Sequence, residues 1–215
     1  MSAFVPQGPS DGRRVAVLAS GSGRSLDNLA TLSASGELDA TIALLVCDKR
    51  KAGVLAVAER HGVEAIVLRP RDFDDASAFG AAVFEAVERA QCRLVVLAGF
   101  LRHLPVPDAW HGHVINIHPS LLPKHGGKGY YGDRVHAAVL AAGDAESGCT
   151  VHYVDEVYDH GPHLVQRRVP VEPDDDAHTL ASRVFAEECR ALPEAVRLHL
   201  DGEVDLERAR RGRAS

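Results

Sequence analysis

Apolar runs alternate with helical segments along the first half of the chain, and this alternation constrains the fold more than any other feature. Continuous apolar runs are typical of strands that are buried on both faces of a parallel sheet. Four such runs are RRVAVLAS (13–20), TIALLVCD (41–48), VEAIVL (63–68) and CRLVVLAGF (92–100). Strands that alternate with helices predict a parallel, doubly wound α/β sheet.

The second half of the chain departs from this pattern. HVINIH (113–118) predicts a fifth strand, and residues 133–142 predict a helix. Two alternating runs around a polar Gly/Pro turn occupy 149–171, which is typical of an antiparallel pair. A long helix is predicted over about 176–200. We therefore expect a mostly parallel, twisted sheet with an antiparallel C-terminal strand pair and helices on both faces.

The length and composition predict one domain with an ordinary core. The chain has 215 residues, 46% of them hydrophobic, and no internal repeat or linker divides it. Residues 1–12 predict a flexible tail, 13–207 a single domain and 208–215 a frayed tail. No apolar run approaches the ~20 residues of a membrane helix, and no secretory signal is present. We expect a cytoplasmic protein without a membrane partner.

Charge and cysteine content argue against further classes of protein. The formal net charge of -6 disfavours a nucleic-acid partner. The four cysteines are too far apart in the sequence for a zinc knuckle, and reduced thiols are expected. The HGH run at 111–113 has no cluster of carboxylates or cysteines around it and is predicted to be a solvated loop. No metal site is therefore expected.

A glycine turn joins the first predicted strand to the first helix. It reads SGSGRSL (20–26), and its glycines allow the backbone to come close to a ligand. The first amides of a helix attract anions, and Arg24 and Ser25 can add side-chain contacts. The stretch matches neither a dinucleotide fingerprint nor a P-loop, so a tight turn without a ligand stays open. Its place at the carboxyl end of a parallel strand favours a small anion such as a phosphomonoester.

Two hydrogen-bonding side chains end the fifth predicted strand. Alternate residues of a strand point to the same face, so Asn116 and His118 point together, and Pro119 ends the strand after them. The carboxyl end of a strand in such a sheet is where ligands bind. A polar pair that binds only loop carbonyls is the simpler alternative, and an isolated NIH would favour it.

An acidic loop favours a catalytic role for Asn116 and His118 over a structural one. VDEVYDHGP (154–162) carries three carboxylates, one of them Asp159. Asn and His side chains can hydrogen-bond the oxyanion that forms when an amine attacks a carbonyl carbon. A carboxylate can orient the His, raise its pKa so that the cation is favoured, and help to move protons. These residues together predict acyl chemistry in which the substrate supplies the nucleophilic amine.

Five motifs give the chain a resemblance to a known family. They are SGSG (20–23), VVLAGFLRHL (95–104), NIHPSLLPK (116–124), SGCTVHYVDEVYDHGP (147–162) and RVFAEECRALP (183–193). With these motifs the chain resembles the glycinamide ribonucleotide formyltransferases, folate-dependent purine-pathway enzymes of the formyltransferase family. The resemblance implies a Rossmann-like fold and transfer of a formyl group from the co-substrate 10-formyltetrahydrofolate to the amine of glycinamide ribonucleotide, without a metal.

The resemblance also implies the roles of individual residues. The implied catalytic residues are Asn116, His118 and Asp159. The residues implied to bind the ribonucleotide and its phosphate are Gly21, Ser22, Gly23, Arg24, Ser25, Leu26 and Glu188. The residues implied to bind the folate are Phe100, Leu101, Arg102, His103, Leu104, Val154, Asp155 and Glu156.

Two positions bear on these assignments. Glu188 follows Leu180 and Val184 at helical spacing, which predicts that its carboxylate lies on an inward, apolar face. Members of the family often have an Arg on the third helix near the folate tail, where this chain has Ala76. Arg69 or Arg71 can take the place of that Arg.

Other functions stay open as alternatives. They are a folate formyl hydrolase, a methionyl-tRNA or sugar-amine formyltransferase, and a non-catalytic folate or nucleotide-binding module. The hydrolase and the tRNA enzyme usually carry an extra domain that 215 residues do not accommodate, and the net charge disfavours tRNA. A monomer or a homodimer is expected.

Overall fold

The computed structural model describes residues 4–204, and the chain divides into two compact units at the Val114–Ile115 bond. The elements of the first unit are β1 (Arg14–Ala19), α1 (Arg24–Ser35), β2 (Thr41–Cys47), α2 (Val54–His61), β3 (Glu64–Val67), α3 (Ala76–Arg89) and β4 (Leu94–Leu97). β1 pairs in parallel with β2 and with β4, and β2 pairs in parallel with β3. The predicted parallel α/β half is confirmed.

The remaining elements start at the boundary between the units. They are β5 (Val114–His118), α4 (Asp133–Ala142), β6 (Glu146–Tyr153), β7 (His163–Pro170) and α5 (Ala177–Leu200). β6 runs antiparallel to both β5 and β7, and α5 packs against β6, β7 and α4. The seven strands form one mixed sheet in the order β3-β2-β1-β4-β5-β6-β7. The predicted antiparallel C-terminal pair is therefore confirmed.

Burial and capping explain why these segments form these elements. Residues 15–18 of β1 and 94–96 of β4 are fully buried, as their continuous apolar sequence requires. Asp75 caps α3 by accepting from the Ala78 N–H at 2.8 Å. Asp176 and Thr179 form a reciprocal capping box that starts α5. Local sequence signals therefore set the starts of α3 and α5.

The HGH run differs from its prediction as a solvated loop. Gly112 and His113 are buried and His111 is half-buried, and the His113 carbonyl accepts from the Val95 N–H at 2.9 Å. The His113 N–H in turn donates to the carbonyl of Trp110 at 3.0 Å. This stretch therefore continues the backbone bonding of β4 and belongs to the interior of the first unit.

The predicted tails fall partly within the described residues. Of residues 1–12, those from Phe4 onward are described, and the backbone N–H groups of Gln7 and Gly8 both donate to the Glu88 carboxylate at 2.9 Å. The 208–215 tail lies outside the described residues, and the limits of a single domain at 13–207 stay a prediction. Within residues 4–204, none of the helices has the length and apolar character needed to span a membrane.

Candidate active site

The glycine turn between β1 and α1 is tightly held by the start of α2. Gly23 precedes α1 with φ +90°, and a Cβ there would lie 2.8 Å from the Cα of Val54. The Val54 N–H donates to the carbonyl of Gly21 at 3.0 Å. Gly23 provides no side-chain cap, so the N-terminus of α1 keeps the electrostatic character that attracts an anion.

The predicted phosphate-binding side chains on this turn differ in exposure. Ser22 and Arg24 are exposed and Ser25 is half-buried, so all three side chains are accessible to a ligand. The side chain of Leu26 is fully buried in the core. Leu26 can therefore contact a phosphate only through its backbone.

We expect Gly23→Ala to lower the free energy of unfolding by about 1–3 kcal/mol. The alanine would have to adopt the left-handed backbone of Gly23, and its Cβ would displace Val54. The matched control is Gly21→Ala, since a Cβ at Gly21 meets nothing within 4 Å. Urea unfolding of both variants measures the difference. An equal loss of stability in the two variants would show that the left-handed backbone of Gly23 and its contact with Val54 do not require a glycine.

The segment 100–104 follows β4 and contains both buried and exposed side chains. Phe100 and Leu104 are buried, whereas the Leu101 side chain is 48% exposed and Arg102 and His103 are also exposed. The Leu101 N–H donates to the Ser20 Oγ at 3.3 Å, which ties this segment to the end of β1. Of the predicted folate-binding residues here, Phe100 and Leu104 therefore set the shape of the segment, and the side chains of the other three are exposed.

In the second unit, the three predicted catalytic side chains lie together. Asn116 and His118 are on β5, and Asp159 is in the loop after β6. Asp159 Oδ1 lies 3.4 Å from Asn116 Nδ2, and Asp159 Oδ2 lies 3.4 Å from His118 Nδ1. His118 is buried and Asn116 is partly accessible. Alternation along β5 aims the first two side chains at the carboxylate, as the sequence predicts.

His152 is a member of this cluster that the sequence did not reveal. It pairs with Asn116 across β5 and β6 and is 2% exposed. Its Nδ1–H donates to the Tyr153 carbonyl at 2.8 Å, and in this tautomer the free Nε2 accepts from Asn116 Nδ2 at 3.1 Å. This bond fixes which side of the Asn116 amide faces the cluster. Only the pairing register of β5 and β6 could have predicted that His152 lies beside Asn116.

A glycine-rich loop closes over His118. The His118 Nε2–H donates to the carbonyl of His125 at 2.9 Å, and the Gly127 N–H donates to Asp159 Oδ2 at 2.9 Å. His125 Nε2 in turn lies 2.7 Å from Asp144 Oδ2, which holds the start of the loop. Because a carbonyl only accepts, the neutral His118 ring carries its proton on Nε2, and protonation of the ring occurs on Nδ1, facing Asp159.

The protonation of the cluster differs in one respect from the prediction. Burial lowers the pKa of His118 below 6.5, although the Asp159 charge and the His125 carbonyl act to raise it. The predicted net rise is therefore wrong, because desolvation outweighs the carboxylate. Burial acts to raise the pKa of Asp159, but the adjacent His152 ring, the His118 charge and the Gly127 N–H outweigh it and hold that pKa below 3.8. At neutral pH the carboxylate is ionised beside a neutral imidazole.

The loop that carries Asp159 has a constrained backbone. Asp159 itself lies in the left-handed region with φ +57°, which Asp tolerates better than most residues. A Cβ at Gly161 would collide with the Tyr153 carbonyl oxygen, so only glycine fits there. These two features place the carboxylate against β5.

The other predicted residues of the second unit shape the same loop or lie on α5. Asp155 Oδ1 accepts from the Val157 N–H at 2.8 Å, so this carboxylate organises the loop, while Glu156 is exposed and Val154 is half-buried. On α5, Glu188 is half-buried and continues the face of the fully buried Leu180 and Val184. The predicted inward face of α5 is therefore present.

The site contains groups for proton transfer and oxyanion binding but no group arranged to hold a metal. Among residues 4–204, no cluster of three or more His, Cys, Asp or Glu side chains has a geometry suited to a metal ion. An amide donor, a neutral imidazole and an ionised carboxylate are suited to the attack of an amine on a formyl or acyl carbon.

Comparisons with known proteins identify the family. A model of the formyl transferase family matches residues 13–196. Over 86% of its length the chain is 34% identical to a phosphoribosylglycinamide formyltransferase of Bacillus subtilis and covers 93% of that protein. It is 39% identical over 88% of its length to the trifunctional purine biosynthetic protein adenosine-3 of Drosophila melanogaster but spans only 14% of that protein. The crystal structure of glycinamide ribonucleotide transformylase 1 from Symbiobacterium toebii superposes with a TM-score of 0.84 at 34% identity over 94% of both chains. The chain belongs to the formyl transferase family.

Proposed function

We propose that the chain transfers the formyl group of 10-formyltetrahydrofolate to the amine of glycinamide ribonucleotide in de novo purine biosynthesis. The products are formylglycinamide ribonucleotide and tetrahydrofolate. The observation that carries this proposal is the cluster of Asn116, His118 and Asp159 in a chain of this family. The similarity to phosphoribosylglycinamide formyltransferases supports the choice of acceptor.

Asn116 donates to the oxyanion of the tetrahedral intermediate. One amide hydrogen of Asn116 is bound to His152 Nε2 at 3.1 Å. The other faces Asp159 Oδ1 at 3.4 Å, beyond the ~2.7–3.2 Å of a good N–H···O bond. The developing oxyanion replaces this weak contact, so the donor serves the transition state more than the ground state.

His118 and Asp159 transfer protons during the reaction. Attack of the substrate amine forms the new C–N bond and leaves a positive charge on that nitrogen. One amine proton passes through water to the pair formed by Asp159 and His118. The pair returns this proton to N10 of the folate as the bond between N10 and the formyl carbon breaks. For His118 to donate Nε2–H to the oxyanion, that hydrogen must exchange the His125 carbonyl for the substrate oxygen.

The family resemblance supplies the substrate-binding residues of each unit. The ribonucleotide phosphate lies at the N-terminus of α1, with Gly21–Leu26, and Glu188 contacts the ribonucleotide. The folate lies against Phe100–Leu104 and Val154–Glu156. The enzyme acts in the cytoplasm as a monomer or homodimer, with small-molecule substrates and no nucleic-acid or membrane partner.

Arg24→Ala is expected to raise the KM for glycinamide ribonucleotide about tenfold while the KM for the folate changes little, because Arg24 is exposed at the proposed phosphate site. Steady-state kinetics with each substrate varied in turn measures both constants, and Arg197→Ala, an exposed Arg of α5, is the control. If Arg24→Ala raised only the KM for the folate, the phosphate of the ribonucleotide would not bind at Arg24.

The proposed function is tested by release of tetrahydrofolate from 10-formyltetrahydrofolate, with and without glycinamide ribonucleotide. We expect turnover only when the ribonucleotide is present. Equal release in water alone would identify a hydrolase, and no release under either condition would support a binding module.

A further inference from the structure

A turn at residues 120–124 connects the end of β5 to the glycine-rich loop that closes over His118. Ser120 is 0% exposed and Leu122 is 5% exposed, so this turn is largely inside the second unit. The Lys124 N–H donates to the Leu121 carbonyl at 3.1 Å. Because a buried turn cannot bond water, its other backbone groups need partners from side chains.

Thr150 of β6 supplies several of these partners with one hydroxyl group. Its hydroxyl hydrogen is donated to the Ser120 carbonyl at 2.7 Å. The same oxygen accepts from the Leu122 N–H at 3.2 Å and from Gln166 Nε2 at 2.9 Å. A hydroxyl has one hydrogen to donate and two lone pairs, so all the hydrogen-bonding capacity of Thr150 is used, at 0% exposure.

Two further side chains complete this hydrogen-bond network. Gln166 of β7 donates from Nε2 to the Leu122 carbonyl as well, at 3.1 Å. The Ser120 Oγ–H donates to the carbonyl of Lys124 at 2.6 Å. The turn is therefore held from its first residue to its last, and His125 follows it directly.

The turn thereby sets the position of the His125 carbonyl, which accepts the His118 Nε2–H at 2.9 Å. Thr150 also pairs directly with His118 across β5 and β6, and directly opposite residues of a sheet point to the same face. Thr150 thus lies beside the backbone of His118 and also holds the turn that leads to the carbonyl. The bond at Nε2 leaves Nδ1 facing Asp159 Oδ2 at 3.4 Å.

We infer that Thr150 is a positioning residue for His118 and acts through the turn 120–124; this rests on the proposed function. Its hydroxyl keeps the imidazole in the orientation in which Nε2–H can pass to the oxyanion and Nδ1 can take up a proton. Gln166 supports the same turn from β7. A reacting group that is misplaced by about 1 Å can lose up to about 10² in rate.

Kinetics of Thr150→Val and Thr150→Ser test this inference. Valine has the shape of threonine but leaves the Ser120 carbonyl and the Leu122 N–H without their partner. We expect Thr150→Val to lower kcat by about 10–10², with the KM for both substrates little changed. Thr150→Ser keeps the hydroxyl and should restore most of kcat. Val83→Ala, which removes fully buried side-chain atoms from α3 of the first unit, should lose stability in urea but keep its kcat.

NMR of the His118 ring in ¹⁵N-labelled protein measures its position without turnover. A Nε2–H that is bonded to a carbonyl exchanges slowly with water and gives its own resonance. We expect this resonance in the wild type, Thr150→Ser and Val83→Ala, and its loss in Thr150→Val. A Thr150→Val protein with normal kcat and an unchanged resonance would make Thr150 purely structural and overturn the inference. An equal loss of kcat in Val83→Ala would overturn it too.

Gln166→Met is the second variant, because Gln166 is exposed and its replacement threatens the fold less. It removes one bond to Thr150 and one to the Leu122 carbonyl, so we expect the same losses to a smaller extent. If Thr150→Val did not fold, normal kcat and an unchanged His118 resonance in Gln166→Met would overturn the inference. A wild-type protein that shows the resonance but does not formylate the ribonucleotide would contradict the proposed function alone.

Discussion

Asn116→Ala is expected to lower kcat by about 10²–10³, the loss that follows removal of one oxyanion donor. In the structure the Asn116 amide is oriented by His152 at 3.1 Å and makes only a 3.4 Å contact to Asp159. Its second hydrogen is therefore held ready for a charge that appears only during the reaction. The KM values for both substrates should change little, because the lost interaction belongs to the transition state.

Asn116→Asp is the matched variant, since it keeps the size of the side chain and replaces the donor with an acceptor. It should be at least as slow as Asn116→Ala, because its charge would oppose both the oxyanion and Asp159. Steady-state kinetics of the two variants, with folding checked by circular dichroism, measures the effect. If either variant lost only affinity and kept its kcat, Asn116 would belong to ground-state binding.

Asp159→Asn is expected to lower kcat by about 10²–10⁴, the range for a group that transfers protons. Asn has the same shape, tolerates the left-handed backbone at φ +57°, and can still accept from the Gly127 N–H. The fold and the binding of both substrates should therefore persist. Glu146→Gln, which neutralises an exposed carboxylate of β6, is the control and should turn over normally. Near-normal turnover of Asp159→Asn would remove Asp159 from the mechanism.

The same variant tests how Asp159 acts on His118. Burial already holds the pKa of His118 below 6.5, and the Asp159 charge is the largest of the influences that raise it. Removal of that charge disfavours the imidazolium, so the His118 ring should titrate at lower pH in Asp159→Asn than in the wild type. NMR titration of the imidazole measures this shift. An unchanged or higher pKa in the variant would rule out electrostatic pairing of the two side chains.

Local patterns predicted the elements of the fold because each depends on near neighbours in the sequence. The runs of β1, β2 and β4 are continuous and apolar, as is typical of parallel strands buried on both faces, and the helical spacing of apolar residues predicts the long helix over about 176–200. The prediction for the HGH run was wrong because His113 is buried and its backbone bonds Val95, which is distant in the sequence. Polarity alone carries no signal for such a contact.

The candidate site was predictable only in part. The common direction of Asn116 and His118 follows from strand alternation, whereas the choice of Asp159 among three acidic loop residues came from the family resemblance. His152 joins the cluster through the register of two antiparallel strands, and His125 through a loop closure, neither of which a single sequence shows. The lowered pKa of His118 depends on burial by distant residues.

The fate of a ¹³C-labelled formyl group tests the central claim most directly. Purified protein is incubated with [¹³C-formyl]-10-formyltetrahydrofolate and glycinamide ribonucleotide, and the labelled carbon is followed by ¹³C NMR. We predict that the label appears in the formamide of formylglycinamide ribonucleotide, one for each tetrahydrofolate released, and that this transfer nearly vanishes in Asp159→Asn. Label that accumulated in formate instead, at a rate independent of the ribonucleotide, would contradict formyl transfer as the function of this chain.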